Sequence, residues 1–158
     1  MIVVNDSTTL IILANQQRFD LLHKLFDVVY VPSAVWDEIQ VKGDVQLPAF
    51  IQRHALAESD DLTTLGYLLD QGESEAIMLA KTLNLPLIID EKKGRKIAIQ
   101  MGIRIVGLLG ILYLNIKHEH LSQDEALAFL TAVRNNGFRI SQALIDSMCS
   151  ASGRAGEA

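Results

Sequence analysis

The sequence predicts an α/β fold of three layers, a central parallel sheet between helices, with a helical C-terminal extension. Three observations carry this. Short runs at Ile2-Val3-Val4, Val28 to Val31 and Leu87-Ile88-Ile89 are apolar throughout rather than alternating, as strands covered on both faces are. Segments of helical periodicity separate them, so strands and helices alternate. Beyond Lys117 only helical patterns remain.

The first strand ends at Asn5-Asp6-Ser7, and Thr8 or Thr9 is placed to cap a helix through Leu10, Ile12, Leu13 and Ala14. A second helix covers Phe19 to Phe26. After the strand Val28 to Val31 and Pro32, Ser33 caps a helix from Ala34 to Val41, and Lys42-Gly43-Asp44 turns the chain. Pro48 suits the first position of a further helix through Ile51 and Leu56, and Glu58 to Asp61 reads as a solvated loop. Leu62 to Leu69 fits a helix or a strand.

Glu73 and Glu75 follow Gly72, and Ala76, Leu79, Ala80 and Leu83 then recur at the spacing of an amphipathic helix. Leu85-Pro86 ends it, because a residue before proline is pushed out of the α region. The strand Leu87 to Ile89 delivers Asp90, and a basic helix follows at once. Ile103 to Val106 is another strand, and Gly107 opens an apolar helix from Leu108 to Ile116. Ser122 with Glu125 three residues on is a capping box for a helix to about Arg134. Asn136-Gly137 breaks it, Ser141 starts a last helix to about Cys149, and the tail from Ser150 reads as frayed. The organisation expected is a domain over 1–117, an extension over 118–149 packed on it, and a disordered tail over 150–158.

At 158 residues the chain suits one domain with a substantial core. A net charge of −5 argues against a general polyanion-coating protein, yet five of the fourteen basic residues lie between Lys92 and Arg104. One cysteine excludes an internal disulfide and fits a reducing cytoplasm. No apolar run reaches the roughly 18 residues of a membrane span. The four histidines show no metalloprotease spacing.

The acids matter by position. Asp6 and Asp90 each follow an apolar triplet, where an unpaired acid is costly unless a cation or hydrogen bond compensates; an N-cap role is the structural alternative. Glu73 or Glu75 stands at a helix start, where an acid also simply complements the helix dipole. Both cannot face one metal in a regular helix, since residues two apart diverge by about 200°. Glu75 is favoured, because the apolar residues after it set it beside the core face, and Glu73 in the first turn remains able to bend in. Glu38 lies on the helix after the second strand, where a solvated acid is the ordinary reading. Three or four such acids suit Mg²⁺ or Mn²⁺, which hold carboxylates and water and activate water against a phosphodiester. Lys92, Lys93, Arg95 and Lys96 are either a solvated helix face or contacts to a phosphate backbone. Trp36 fits helix packing better than base stacking.

The ordered motifs D-S-T near the N-terminus, V-P-S-A-V-W-D-E-I, G-E-S-E-A-I-x-L-A and I-I-D-E-K-K-G-R-K-I-A resemble the PIN domain superfamily. More narrowly they resemble the compact PIN-like family, once a domain of unknown function (DUF3368-like), that is related to VapC-type toxins. The likeness covers about 1–117, with the turn Asn136 to Ser141 also familiar. It implies a PIN-like three-layer α/β/α fold and metal-dependent cleavage of RNA. It further implies metal-site acids at Asp6, Glu38, Glu75 and Asp90, with Glu73 a possible fifth. Asp6 and Asp90 would bind the main metal, Glu75 would share it or orient water, and Glu38 would complete the pocket. A small antitoxin partner and a homodimer are implied as well. Two departures stand out: Thr9 occupies a position where the family usually has proline, and the third acid is Glu where many toxins have Asp. The competing readings are a PIN-like scaffold without turnover that binds RNA or protein, and a receiver-like phosphorylation domain.

Overall fold

The protein is described here by a computed structural model covering residues 1–43, 45–143 and 145–146, with the side chains of 42 and 43 excepted. In chain order the elements are β1 (Ile2–Asn5), α1 (Ser7–Asn15), α2 (Asp20–His23), β2 (Val28–Pro32), α3 (Ser33–Gly43), β3 (Ile51–His54) and α4 (Asp60–Gly66). They continue as α5 (Gln71–Leu83), β4 (Leu87–Ile88), α6 (Lys92–Gln100), β5 (Ile105–Val106), α7 (Leu108–Lys117) and α8 (Gln123–Asn135). The strands form one parallel sheet in the order β3-β2-β1-β4-β5. This is the three-layer PIN-like architecture.

Alternation along the strands divides the core. Val3, Val29, Val31 and Ile88 face a cluster with Leu10 and Leu13 of α1, Ile111 and Leu112 of α7, and Phe129 and Leu130 of α8. Val4, Leu87 and Ile89 face a second cluster with Ile77, Leu79 and Ala80 of α5 and Ala98 of α6. The C-terminal helix α8 therefore shares the first core instead of forming one of its own.

Three stretches differ from the sequence expectation. The helix expected from Pro48 is the edge strand β3, paired with β2 from Val29↔Ile51 to Pro32↔His54. Only Ile51 of this strand is buried, so its side chains carry no two-period signal, and the backbone ladder decides the conformation. Asp60 and Asp61 are not loop residues: they form the first turn of α4, where Ser59 Oγ accepts from Leu62 N–H at 3.2 Å. The residues from Leu62 thus continue a helix, whose dipole the two acids complement. Helix α1 begins at Ser7, ahead of the expected caps, so Asp6 occupies its N-cap position.

The predicted capping box is present: Glu125 N–H donates to Ser122 Oγ and Ser122 N–H to Glu125 Oε1, each at 3.1 Å. Gln142, Ala143, Ile145 and Asp146 are helical. Asp44 of the predicted turn, the rest of the last helix to Cys149 and the tail from Ser150 lie outside the described residues.

Ser122→Ala removes a cap worth about 1 kcal/mol. Urea denaturation is expected to show a lower midpoint with an unchanged slope; an unchanged midpoint would mean that α8 contributes nothing to the cooperative unit.

Candidate functional site

From β1 the chain steps outward to β2 and β3, then returns to place β4 and β5 on the other side of β1. The order reverses between β1 and β4, and in open parallel sheets the crevice at such a switch point, beyond the carboxyl ends of the strands, is the ligand site. The register Val4↔Leu87 and Asn5↔Ile88 puts the residues after these two strands side by side. Those residues lead to Asp6 and Asp90.

Asp6 is 4% exposed, and its N–H continues the ladder to Ile88 O at 2.9 Å. It sits at the α1 N-cap yet makes no side-chain cap bond, so the capping alternative does not account for its burial. Asn5 beside it is fully buried, with neither Oδ1 nor Nδ2 partnered. Asp90 is fixed from two directions. Its Oδ1 accepts from Leu108 N–H at 2.8 Å, which satisfies an orphan donor at the start of α7 that Gly107 has no side chain to reach. Its Oδ2 accepts from the Thr9 hydroxyl, so the residue that replaces the family's usual proline holds a site acid.

Helix α5 supplies the third wall. Asp70 is its N-cap, with Oδ1 accepting from Glu73 N–H at 2.8 Å. The two glutamates diverge, as two helical positions must, and they take different partners. Glu75 Oε1 accepts from Ala34 N–H at 3.2 Å at the start of α3, and Oε2 from Gln71 Nε2 at 3.1 Å. Glu73 instead faces Asp70, Asp6 and Glu91, whose charges all act on it. Glu38 Oε2 approaches Gly72, where an added Cβ would lie 3.2 Å from it and 3.6 Å from Asp70 Oδ1. Glu38, Asp70 and Asp90 act on Asp6, and Glu73 shares charge with Asp6 and Asp70, while Glu75 lines a neighbouring recess with Glu38 and Asp70. Sequence reasoning missed Asp70; Asp70-Gln71-Gly72-Glu73 has the spacing of a cap followed by an acid three residues on, a signal that could have found it.

This crowding shows in the proton affinities. Burial pushes the Asp6 carboxyl up to about 7, with Asp70, Glu38 and Asp90 adding repulsion while the Ser7 N–H pulls the other way. Glu73 is pushed up to about 8 by burial and then by Asp70. Among the described residues no three Asp, Glu, His or Cys side chains already stand close enough to hold a metal ion. The chemistry of the donors still fits a hard divalent cation: carboxylate oxygens in excess, no thiolate, and a buried acid whose strongest charged neighbours are all acidic.

On α6, Lys92, Lys93 and Lys96 are exposed, whereas Arg95 is half-buried and turned towards Asp90. An added Cβ on Gly107 would lie 2.6 Å from Arg95 Nη1 and 3.0 Å from Asp90 Oδ1, so both groups close over a position that only glycine leaves open. Next to them a groove of about 650 Å³ runs between the β5 end, α7 and the segment around Phe138.

A parallel α/β domain with acids converging at its switch point is the architecture of PIN domains. The chain belongs to that family: the model for DUF3368, a PIN domain, matches residues 2–154. Its fold is similar to that of a solved PilT N-terminus domain protein, SSO1118, from the hyperthermophilic archaeon Sulfolobus solfataricus. The TM-score is 0.52 at 21% identity, covering 71% of this chain and 91% of that one. No curated protein matches the chain.

The raised carboxyls make the metal-free protein sensitive to pH. From the ordinary value of 3.8 up to about 7, native Asp6 keeps a proton that the unfolded chain has lost, and Glu73 does the same from 4.5 to about 8. Stability must fall as pH rises through these windows. In EDTA, Tm is expected to be lower at about pH 8 than at about pH 5.5, with Asp6→Asn flattening the dependence. A wild-type Tm that rises over this interval would contradict the crowding.

Proposed function

We propose that the protein is a Mg²⁺- or Mn²⁺-dependent endoribonuclease that hydrolyses RNA phosphodiester bonds, as the toxin of a VapC-like toxin–antitoxin pair. PIN domains are generally nucleases, and the observation that carries the reading here is the buried Asp6, crowded by acids at the switch point. Asp6, Asp90 and Glu73 would hold the cation, with Asp70 and Glu38 completing the acidic wall. The cation, when bound, activates water and steadies charge on the leaving oxygen. Thr9 and the α7 N-terminus keep Asp90 oriented. Arg95 and the exposed Lys92, Lys93 and Lys96 would hold the RNA backbone without reading sequence.

The likeness to VapC-type toxins supports an antitoxin and a homodimer as partners. The exposed apolar side chains Val41, Tyr67, Leu68 and Ile99 offer contact surface. The apolar helix α7 instead buries Leu108, Ile111 and Leu112 in the core. A cytoplasmic location fits the single cysteine, and among the described residues no helix is long and apolar enough to cross a membrane.

One observation favours a scaffold that binds RNA or protein without turnover: no three described acids stand at metal-holding distance. The receiver-like alternative is disfavoured by topology, since such domains order their strands 2-1-3-4-5 while β1 is central here.

Purified protein is expected to cut single-stranded RNA with Mg²⁺ or Mn²⁺ and not in EDTA, and Asp90→Asn to lose about a hundredfold or more. Cutting that survives Asp90→Asn would remove the site assignment, and no cutting with any metal would favour the scaffold. The two glutamates separate further. Glu73→Gln should lose more than about tenfold in cleavage. Glu75→Gln should retain cleavage and cost about 1 kcal/mol in stability through the Ala34 N–H contact. Equal losses in cleavage would show that Glu75 also serves the site.

A further inference from the structure

We infer that the groove beside Asp90 is the subsite for one unpaired nucleotide next to the scissile phosphate, taking its base against Tyr113 and Phe138 and its phosphate between Arg95 and Arg139. This rests on the nuclease reading and adds a selectivity to it.

The groove has about 650 Å³ and is lined by both apolar and charged side chains. Tyr113 and Phe138 are half-buried, packed against the first core cluster, and both also line the groove. Rings fixed in this way offer a face to a planar ligand at little cost in side-chain entropy. Ile12 and Leu114 make the adjoining wall apolar. Two guanidinium groups belong to the same lining, Arg95 from α6 and Arg139 from the turn after α8. A groove with two aromatic rings, apolar side chains and two guanidinium groups, with Asp90 and Glu91 also in its lining, matches a nucleotide, whose base needs stacking and whose phosphate needs charge-assisted hydrogen bonds.

Position decides between this occupant and a protein segment. Asp90 lines the groove and its charge also acts on Asp6, so the groove lies beside the acid cluster. Gly107 has no side chain to come between Asp90 and Arg95. An RNA strand whose scissile phosphate lies at the acids must send a neighbouring nucleotide in some direction, and the groove begins there. An apolar peptide would make no use of paired guanidiniums next to carboxylates. The proposal assigns Arg95 and Arg139 to the phosphate and Asp90 to the acid cluster, so the slot selects for an exposed base face. Bases in a duplex are already stacked on both faces and cannot enter, so the groove makes the site prefer unpaired RNA.

The test uses the full chain and fluorescein-labelled RNA oligonucleotides of one sequence: the natural single strand, a series with one abasic ribose moved along it, and a duplex. Binding is read by anisotropy in EDTA, and cleavage of the natural strand is read separately with Mn²⁺. An abasic ribose at one position next to the cut should weaken binding by about tenfold, and the duplex should bind more weakly than the single strand. Tyr113→Ala should abolish the abasic penalty, and Tyr113→Phe should keep it. Exposed Arg139, changed to Gln, should weaken all single strands alike and lower the salt slope by about one, which keeps the inference testable even if Tyr113→Ala does not fold.

No sensitive position, or an Arg139→Gln variant that binds like wild type, would overturn the inference and leave the groove to a protein partner. Metal-dependent cleavage without an abasic penalty would overturn the subsite while the nuclease stands. A penalty without cleavage would keep the groove as a nucleotide-binding site and remove the nuclease, and with it the placement next to a scissile phosphate. Absence of binding by wild type would overturn both.

Discussion

Two residue pairs, Val4↔Leu87 and Asn5↔Ile88, tie the centre of this fold together. They join strands more than eighty positions apart and set the register that brings Asp6 beside Asp90. Everything around the site depends on that pairing. Strand β2 on one side and β5 on the other hold β1 and β4 in the middle of the sheet, where fully buried side chains leave no slack for slippage. The helices that follow β1 and β4 then start at the same edge, and α7 begins against Asp90 itself. A one-residue slip would turn Asp6 to the other face of the sheet and dissolve the cluster.

The same pairing creates an electrostatic cost. Asp6 is buried among acids from three other parts of the chain, Glu38 on α3, Asp70 before α5 and Asp90 after β4. Hydrogen bonds steady the outer members: Asp90 has Thr9 and Leu108, and Asp70 has the Glu73 N–H. Asp6 makes no side-chain cap bond and has only the Ser7 N–H, and among the described residues the Asn5 amide next to it has no partner. Burial and the neighbouring acids outweigh the Ser7 N–H, so Asp6 holds its proton more tightly than an ordinary aspartate, and a cation there would relieve the same repulsion.

Much of this was legible in the sequence. Unbroken apolar triplets before Asp6 and Asp90 marked buried parallel strands, and the alternation with helices gave the layers. What the sequence hid has identifiable causes. Strand β3 buries only Ile51, so nothing in its side chains distinguishes it from a polar helix that starts at Pro48. Glu73 and Glu75 were separated correctly by helical geometry. What the sequence did not show is that Ala34 N–H, an orphan donor of another helix forty-one positions away, takes Glu75, while Glu73 is the one that shares charge with Asp6. Thr9 looked like a cap and instead holds Asp90, because α1 starts earlier, at Ser7. In each case a contact distant in sequence overrode a local preference. Asp70 is the exception, since its spacing to Glu73 was readable.

The central claim is that the acid cluster binds a divalent cation through Asp6. Its most direct test is titration of Mn²⁺ into the purified protein, followed by loss of the free-ion electron paramagnetic resonance signal, for wild type and Asp6→Asn. Saturable binding that Asp6→Asn weakens by at least about tenfold is the predicted result, since the substitution removes the one fully enclosed ligand charge. Binding that is absent in wild type, or indifferent to Asp6, would contradict the account.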